Sequence, residues 1–335
     1  VILKTINSLC KILTRVRRRV MNFLNYKGKD SEMFQGLNGE PMSVSMLQYI
    51  AHYAYGANEQ TILKLGALAM NQYEKSDSLA KKKLILEFMK KLGNTSSNGN
   101  SFLPHGIVLS RNAAFNVLDF VYYVEGFRGA RIAAGPCICQ LALKRNPAGG
   151  KTAEIKDLTL YYGADIYTDL PLGHYEVTAD EAKAIVQEMF DKGYVRNVMY
   201  MFGKRAGTFV LCNCDDELCA VVKGTRVMGP GLSCEKGPEI IRREEDKCLG
   251  PEKCGMCIKR CPFGCNSVVN GKIVFDREKC MGCELCVSTC KGCARALEER
   301  KDYAFDNVMN RNMLLAGKYG YPRMEPVKAN KEAAQ

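Results

Sequence analysis

Eight cysteines between residues 248 and 290 fall into two runs, Cys248, Cys254, Cys257, Cys261 and then Cys280, Cys283, Cys286, Cys290. The second run is an uninterrupted CxxCxxCxxxC, and four thiolates at that spacing are what a cubane [4Fe–4S] cluster needs. The first run ends in the same way, CxxCxxxCP, but five residues separate its first two cysteines where two are usual. The chemistry implied is one-electron transfer at two iron–sulfur clusters. Zinc fits poorly, because its tetrahedral sites are built from paired CxxC units rather than from a triplet with a distant fourth cysteine.

A second group lies upstream: Cys137 and Cys139 form one CxC pair, Cys212 and Cys214 another, and Cys219 and Cys234 follow. A CxC pair brings two sulfurs to one side of a tight turn, so two pairs can close a sulfur site for zinc or for iron and sulfide. Two readings stay open here. Cys137, Cys139, Cys212 and Cys214 hold a third metal centre, with Cys219 and Cys234 as alternates, or these cysteines are partly buried free thiols.

The elements that must position these thiols follow from apolar spacing and turn chemistry. Residues 1–92 read as a basic helical region. It opens on Ile2, Ile6, Leu9, Leu13, Val16, Val20 and Leu24 opposite Lys4, Lys11, Arg15 and Arg18, a basic amphipathic helix suited to an anionic membrane surface or a partner subunit. Further stripes run through Met46, Ile50, Tyr53 and Ala54, and through Leu63, Leu65, Leu68 and Met70. Lys81 to Lys91 is expected to turn Leu84, Phe88 and Leu92 inward. Residues 93–101, GNTSSNGNS, read as a linker, and 102–241 as a mixed α/β domain carrying the CxC motifs. There Arg111 to Val124 is an expected helix, and Thr178-Ala-Asp-Glu181 is a capping box ahead of a helix that Gly193 ends. Tyr194 to Phe202 and Thr208 to Leu211 read as two strands joined by a Gly-Lys-Arg-Ala-Gly turn. The cluster-binding segment is 242–301 and the tail 302–335, so the fold class expected is α+β.

Within Cys248 to Leu297 the sequence repeats itself: KCGMCIKRCPFG before NGKIVFDRE matches KCMGCELCVSTCKG before ARALEER. Over about 60 residues this resembles the bacterial-type dicluster [4Fe–4S] ferredoxins. The resemblance implies a ferredoxin-like module in which Cys248, Cys254, Cys257 and Cys290 hold one cluster, and Cys280, Cys283, Cys286 and Cys261 the other. Two departures are the insertion after Cys248 and Lys291 in place of the usual proline. Cys265 and Cys293 sit beside the ligands and read as buried free thiols. With Pro136-Cys-Ile-Cys139 and the CNC turn at Cys212, the whole also resembles a wider group of ferredoxin-type proteins of anaerobes, although Asp215 and Asp216 stand where more cysteines often follow.

Composition bounds the rest. The chain has 335 residues, 47% hydrophobic and 25% charged, and its 17 cysteines concentrate in the last two-fifths at metal-ligand spacings, which suits a reducing, cytoplasmic compartment. No apolar run is long enough to cross a bilayer, leaving peripheral membrane contact through the N-terminal helix. The net charge of +12 fits nucleic acid in principle. No row of base-reading side chains accompanies it, so no nucleic acid is expected. Gly150-Lys151-Thr152 lacks the earlier glycine of a P-loop, no GxGxxG occurs, and His52, His105 and His174 are scattered. From Arg242 to Lys301 there are 13 basic and 9 acidic residues, a balance of +4 where freely diffusing ferredoxins are acidic. The reading is a non-catalytic subunit fixed in an oxidoreductase complex beside a flavoprotein or metalloenzyme subunit. Its rivals are an iron–sulfur reductase with a substrate-facing centre and, behind it, an iron–sulfur regulator of DNA.

Overall fold

In the computed structural model, which describes residues 46–93, 105–125, 132–201, 208–229 and 234–304, the segment ahead of residue 94 forms helices Met46–Lys75 and Leu79–Gly93. The inward face of the first is carried by His52, Tyr55 and Glu59 as much as by aliphatic residues. Glu59 accepts hydrogen bonds from the hydroxyls of Tyr55 (3.4 Å) and Tyr167 (2.5 Å). A stripe counted on apolar types alone therefore misplaces the face, and Leu65 and Leu68, expected inside, are exposed. Leu84 and Phe88 are exposed too, because the second helix packs along the first and not on the sheet. The expected N-terminal basic helix, residues 94–101 of the expected linker, the turn at 203–207 and the tail from 305 lie outside the described residues.

The centre is a seven-stranded sheet made of β1 (His105–Leu109), β2 (Ile132–Pro136), β3 (Ile155–Leu160), β4 (Tyr175–Glu176), β5 (Val195–Tyr200), β6 (Thr208–Cys214) and β7 (Cys234–Glu235). Its order is β4-β2-β3-β6-β5-β1-β7, every neighbouring pair antiparallel except β1 with β7. The helices Arg111–Glu125, Tyr162–Asp169 and Ala179–Lys192 pack on it, and Ile107, Leu109, Val117, Leu118, Leu158 and Val186 are among the buried core residues. The expected capping box is present: Thr178 Oγ1 accepts from the Glu181 N–H at 3.3 Å, the Glu181 carboxylate accepts from the Thr178 N–H at 2.8 Å, and Gly193 closes the helix at φ 93°. The expected hairpin is β5 with β6, antiparallel from Val195 opposite Cys214. It lies in the middle of the seven-stranded sheet.

The last unit begins at β8 (Glu239–Arg243), a strand that crosses the expected 241/242 boundary to pair antiparallel with β11 (Arg295–Glu299). Between them lie the short helices Gly250–Lys253, Met256–Lys259 and Leu285–Ser288 and the hairpin of β9 (Asn266–Val269) with β10 (Lys272–Phe275). Polar contacts lock this unit to the sheet. Buried Arg196 on β5 donates to the carbonyls of Tyr194 (2.9 Å), Leu109 (3.3 Å) and Cys283. The Glu284 carboxylate accepts the Arg111 N–H at 2.8 Å, capping the helix that starts there. Arg260 spans the Phe190, Asp191 and Lys192 carbonyls at the end of another helix. Gly237 approaches so closely that an added Cβ would stand 1.9 Å from the Val108 carbonyl oxygen. The chain is thus an α+β protein whose cysteine-rich unit is fastened to the central sheet.

Candidate metal centres

The two cysteine runs of the last unit are built alike. Gly255 (φ 65°) and Glu284 (φ 69°) each put a left-handed residue ahead of a one-turn helix that carries Cys257 and Cys286. The Cys265 N–H donates to Cys261 Sγ at 3.4 Å, and the Ala294 N–H donates to Cys290 Sγ at 3.3 Å. Gly264 and Cys293 occupy the matching left-handed positions at φ 64° and 51°. In the repeat, Cys293 therefore aligns with Gly264 and not with Cys265. That is why Cys293 is exposed, against the expectation of a buried thiol, while Cys265 is buried as expected.

The sulfurs sort into neighbourhoods. Cys283 and Cys286 feel the charge of Cys261, a residue of the other run, as well as of their own run, and Cys257 feels Cys248 and Cys254. Cys261 thus stands with Cys280, Cys283 and Cys286. Cys290 is half-buried, and its structural counterpart is Cys261. Burial raises the thiols of Cys283 and Cys286, the latter to about 12, which suits sulfurs that stay protonated in a dry site unless a cation takes the proton's place. The Cys265 thiol lies within hydrogen-bond reach of both Cys261 and Cys280; it holds each at about 6 and is itself pushed far up. Arg295, buried between the runs, reaches Cys286 Sγ at 3.8 Å and Asn266 Oδ1 at 2.6 Å, and its charge offsets part of the burial that raises the Cys257 thiol.

The upstream cysteines converge at one end of the sheet. Strands β2 and β6 flank β3 and are both antiparallel to it, so they run parallel to each other and their carboxyl ends lie side by side. Cys137 and Cys139 follow β2, Cys212 and Cys214 end β6, and Cys219 starts the helix Ala220–Met228. Thiol contacts link them in the order Cys137, Cys139, Cys219, Cys214, Cys212. The expected alternate Cys219 is central to the group. Cys234 is not among these contacts: on β7, it pairs at 2.8 Å with Thr225 Oγ1. Hydrogen bonds from Cys139 and Cys214, with the Val222 N–H at the helix start, hold Cys219 well below the usual thiol range. Cys139 and Cys214 are correspondingly pushed up.

Three residues that sequence reasoning left aside organise this nest. Asp215 Oδ1 accepts the N–H groups of Glu217 (3.1 Å), Leu218 (2.6 Å) and Cys219 (3.3 Å), folding the turn that returns Cys219 to Cys214. Asp215 Oδ2 accepts from Lys156 Nζ at 2.8 Å, and both groups are buried. Asp157 Oδ2 accepts the Ile138 N–H at 3.1 Å, fixing the turn between the first two cysteines, and burial raises this carboxyl to about 6. An Asp two to four residues ahead of a Cys at a helix start is a recognisable turn signal. The buried lysine on β3 had none. Among the described residues, no group of three or more His, Cys, Asp or Glu side chains is arranged to hold a single metal ion.

Compared with known proteins, the chain matches no family model and no solved structure. It is similar to the (2S)-3-sulfopropanediol sulfolyase activating enzyme of Bilophila wadsworthia, 43% identical over 51 residues, which is 13% of this chain and 17% of that protein. The chain thus spans less than a fifth of that relative's length.

Proposed function

We propose that this protein is an iron–sulfur electron-transfer subunit that relays single electrons inside a larger redox complex. Cys280, Cys283, Cys286 and Cys261 hold one [4Fe–4S] cluster, and Cys248, Cys254, Cys257 and Cys290 a second; bound there, the clusters supply reversible one-electron chemistry. The observation that carries this is the twofold loop design: two matching N–H···S bonds, two matching left-handed entries and a cysteine from one run standing with three of the other.

The chain's own groups do the rest. Arg295 and the backbone N–H groups offset negative charge on the sulfurs, and burial of Cys257, Cys280, Cys283 and Cys286 keeps water away. Arg196, Arg260 and Glu284 hold the unit against the sheet, so the relay keeps a fixed position in its complex. The short match to an activating enzyme, a protein named for acting on another enzyme, agrees with work done on a protein partner; a flavoprotein or metalloenzyme subunit is the partner class. No described helix is long and apolar enough to cross a membrane, and we place the subunit in the cytoplasm of an anaerobe, with the N-terminal basic segment as a peripheral membrane contact. Co-purification of the full chain from anaerobic cells tests this: a redox enzyme subunit in stoichiometric amount supports it, and a chain that reduces a small substrate unaided contradicts it.

A further inference from the structure

Five cysteines outside the dicluster unit meet at the carboxyl ends of β2 and β6, brought from three chain segments. Free cysteines that merely fill a core pack singly against hydrocarbon. Here Cys139 touches Cys137 and Cys219, and Cys214 touches Cys212 and Cys219. A dedicated frame holds them: Asp215 gathers three successive N–H groups to return Cys219, Asp157 fixes Ile138, and the buried ammonium of Lys156 lies behind. Five sulfurs meeting in one buried site form the soft donor set that suits a zinc or iron–sulfur centre.

We propose that this nest binds a third iron–sulfur centre through four of its five thiols, with Cys139, Cys214 and Cys219 always among them. The choice of iron and sulfide over zinc rests on the nest being continuous with the dicluster unit: Cys214 and Cys219 share one apolar cluster with Met281, Cys283 and Leu285. A carrier is useful there, and a structural ion is not. The inference borrows from the proposed function only the expectation that the protein is loaded with iron and sulfide.

The test is iron, zinc and acid-labile sulfide per full-length chain, purified anaerobically, for wild type, a Cys139→Ser/Cys214→Ser variant and a Cys283→Ser/Cys286→Ser variant. Wild type should carry about two to four irons beyond the roughly eight of two cubanes. The first variant should lose that excess alone and keep the signals of the dicluster unit, while the second keeps the excess. Equal iron in wild type and the first variant, or zinc that disappears with Cys139 and Cys214, overturns the proposal. Should that variant fail to fold, the wild-type count decides: about eight irons overturns it, and a count above that supports it. Iron in the second variant but no iron assignable to the Cys248 to Cys290 unit would sink the relay instead and leave the nest standing.

Discussion

Arg295 stands beside sulfurs of both cysteine runs, stacked over Phe275 at 5.2 Å and tied to Asn266. A unit charge about 8 Å away at an effective dielectric near 20 is worth about 2 kcal/mol, close to 90 mV for one electron before screening. Removing it in Arg295→Met should lower both cluster potentials by tens of millivolts, read by redox titration under EPR, and Arg295→Lys should recover part of the drop. Unchanged potentials would show that the guanidinium only packs. A pH effect arises at two buried histidines. Burial lowers His52 to about 3 and His174 to about 4. A folded-state value below the unfolded 6.5 means that the unfolded chain binds more protons, so stability is full above pH 6.5 and falls as pH drops toward these values, by up to about 1.4 kcal/mol per unit for each group. Urea midpoints between pH 6.5 and 5 should decline, and His52→Leu should flatten the decline; an equal slope in that variant would contradict the assignment.

At the scale of elements, local signals with a fixed chemistry were legible in the sequence. The Thr178 to Glu181 capping box and Gly193 appear as read, and Thr178→Ala should cost about 1 kcal/mol in thermal or urea unfolding. The cysteine repeat was equally readable, and its two halves form matching loops. Burial faces were not, where polar residues pointed inward: His52 and Glu59 displaced the expected stripe, and Leu65 and Leu68 ended outside. The nest was half legible. Its CxC pairs were visible, but their meeting depends on β2 and β6 lying on either side of β3, and no local pattern encodes that pairing. The turn after Cys214 carries its own prediction. Asp215→Ala leaves the buried Lys156 ammonium without its partner and three N–H groups without an acceptor, so it should destabilise the chain by about 3 to 5 kcal/mol. Asp216→Ala, at an exposed neighbour, should change little.

For the whole molecule, the arrangement is a central sheet with a thiol nest at one end and the cysteine-rich C-terminal unit pinned beside it through Arg196, Arg260, Glu284 and Gly237. An anchored relay needs such rigidity, since electron transfer at fixed distances depends on carriers that do not move relative to one another. The basic balance of residues 242–301 agrees with the proposed docking in a complex more than with free diffusion. The most direct test of this account is the EPR spectrum of the dithionite-reduced full chain, purified without oxygen, together with its iron content. The account predicts at least about eight irons per chain and the broadened, interacting signals of two reduced [4Fe–4S] clusters. About four irons and one isolated signal would contradict it, by showing that the interrupted run beginning at Cys248 holds no cluster.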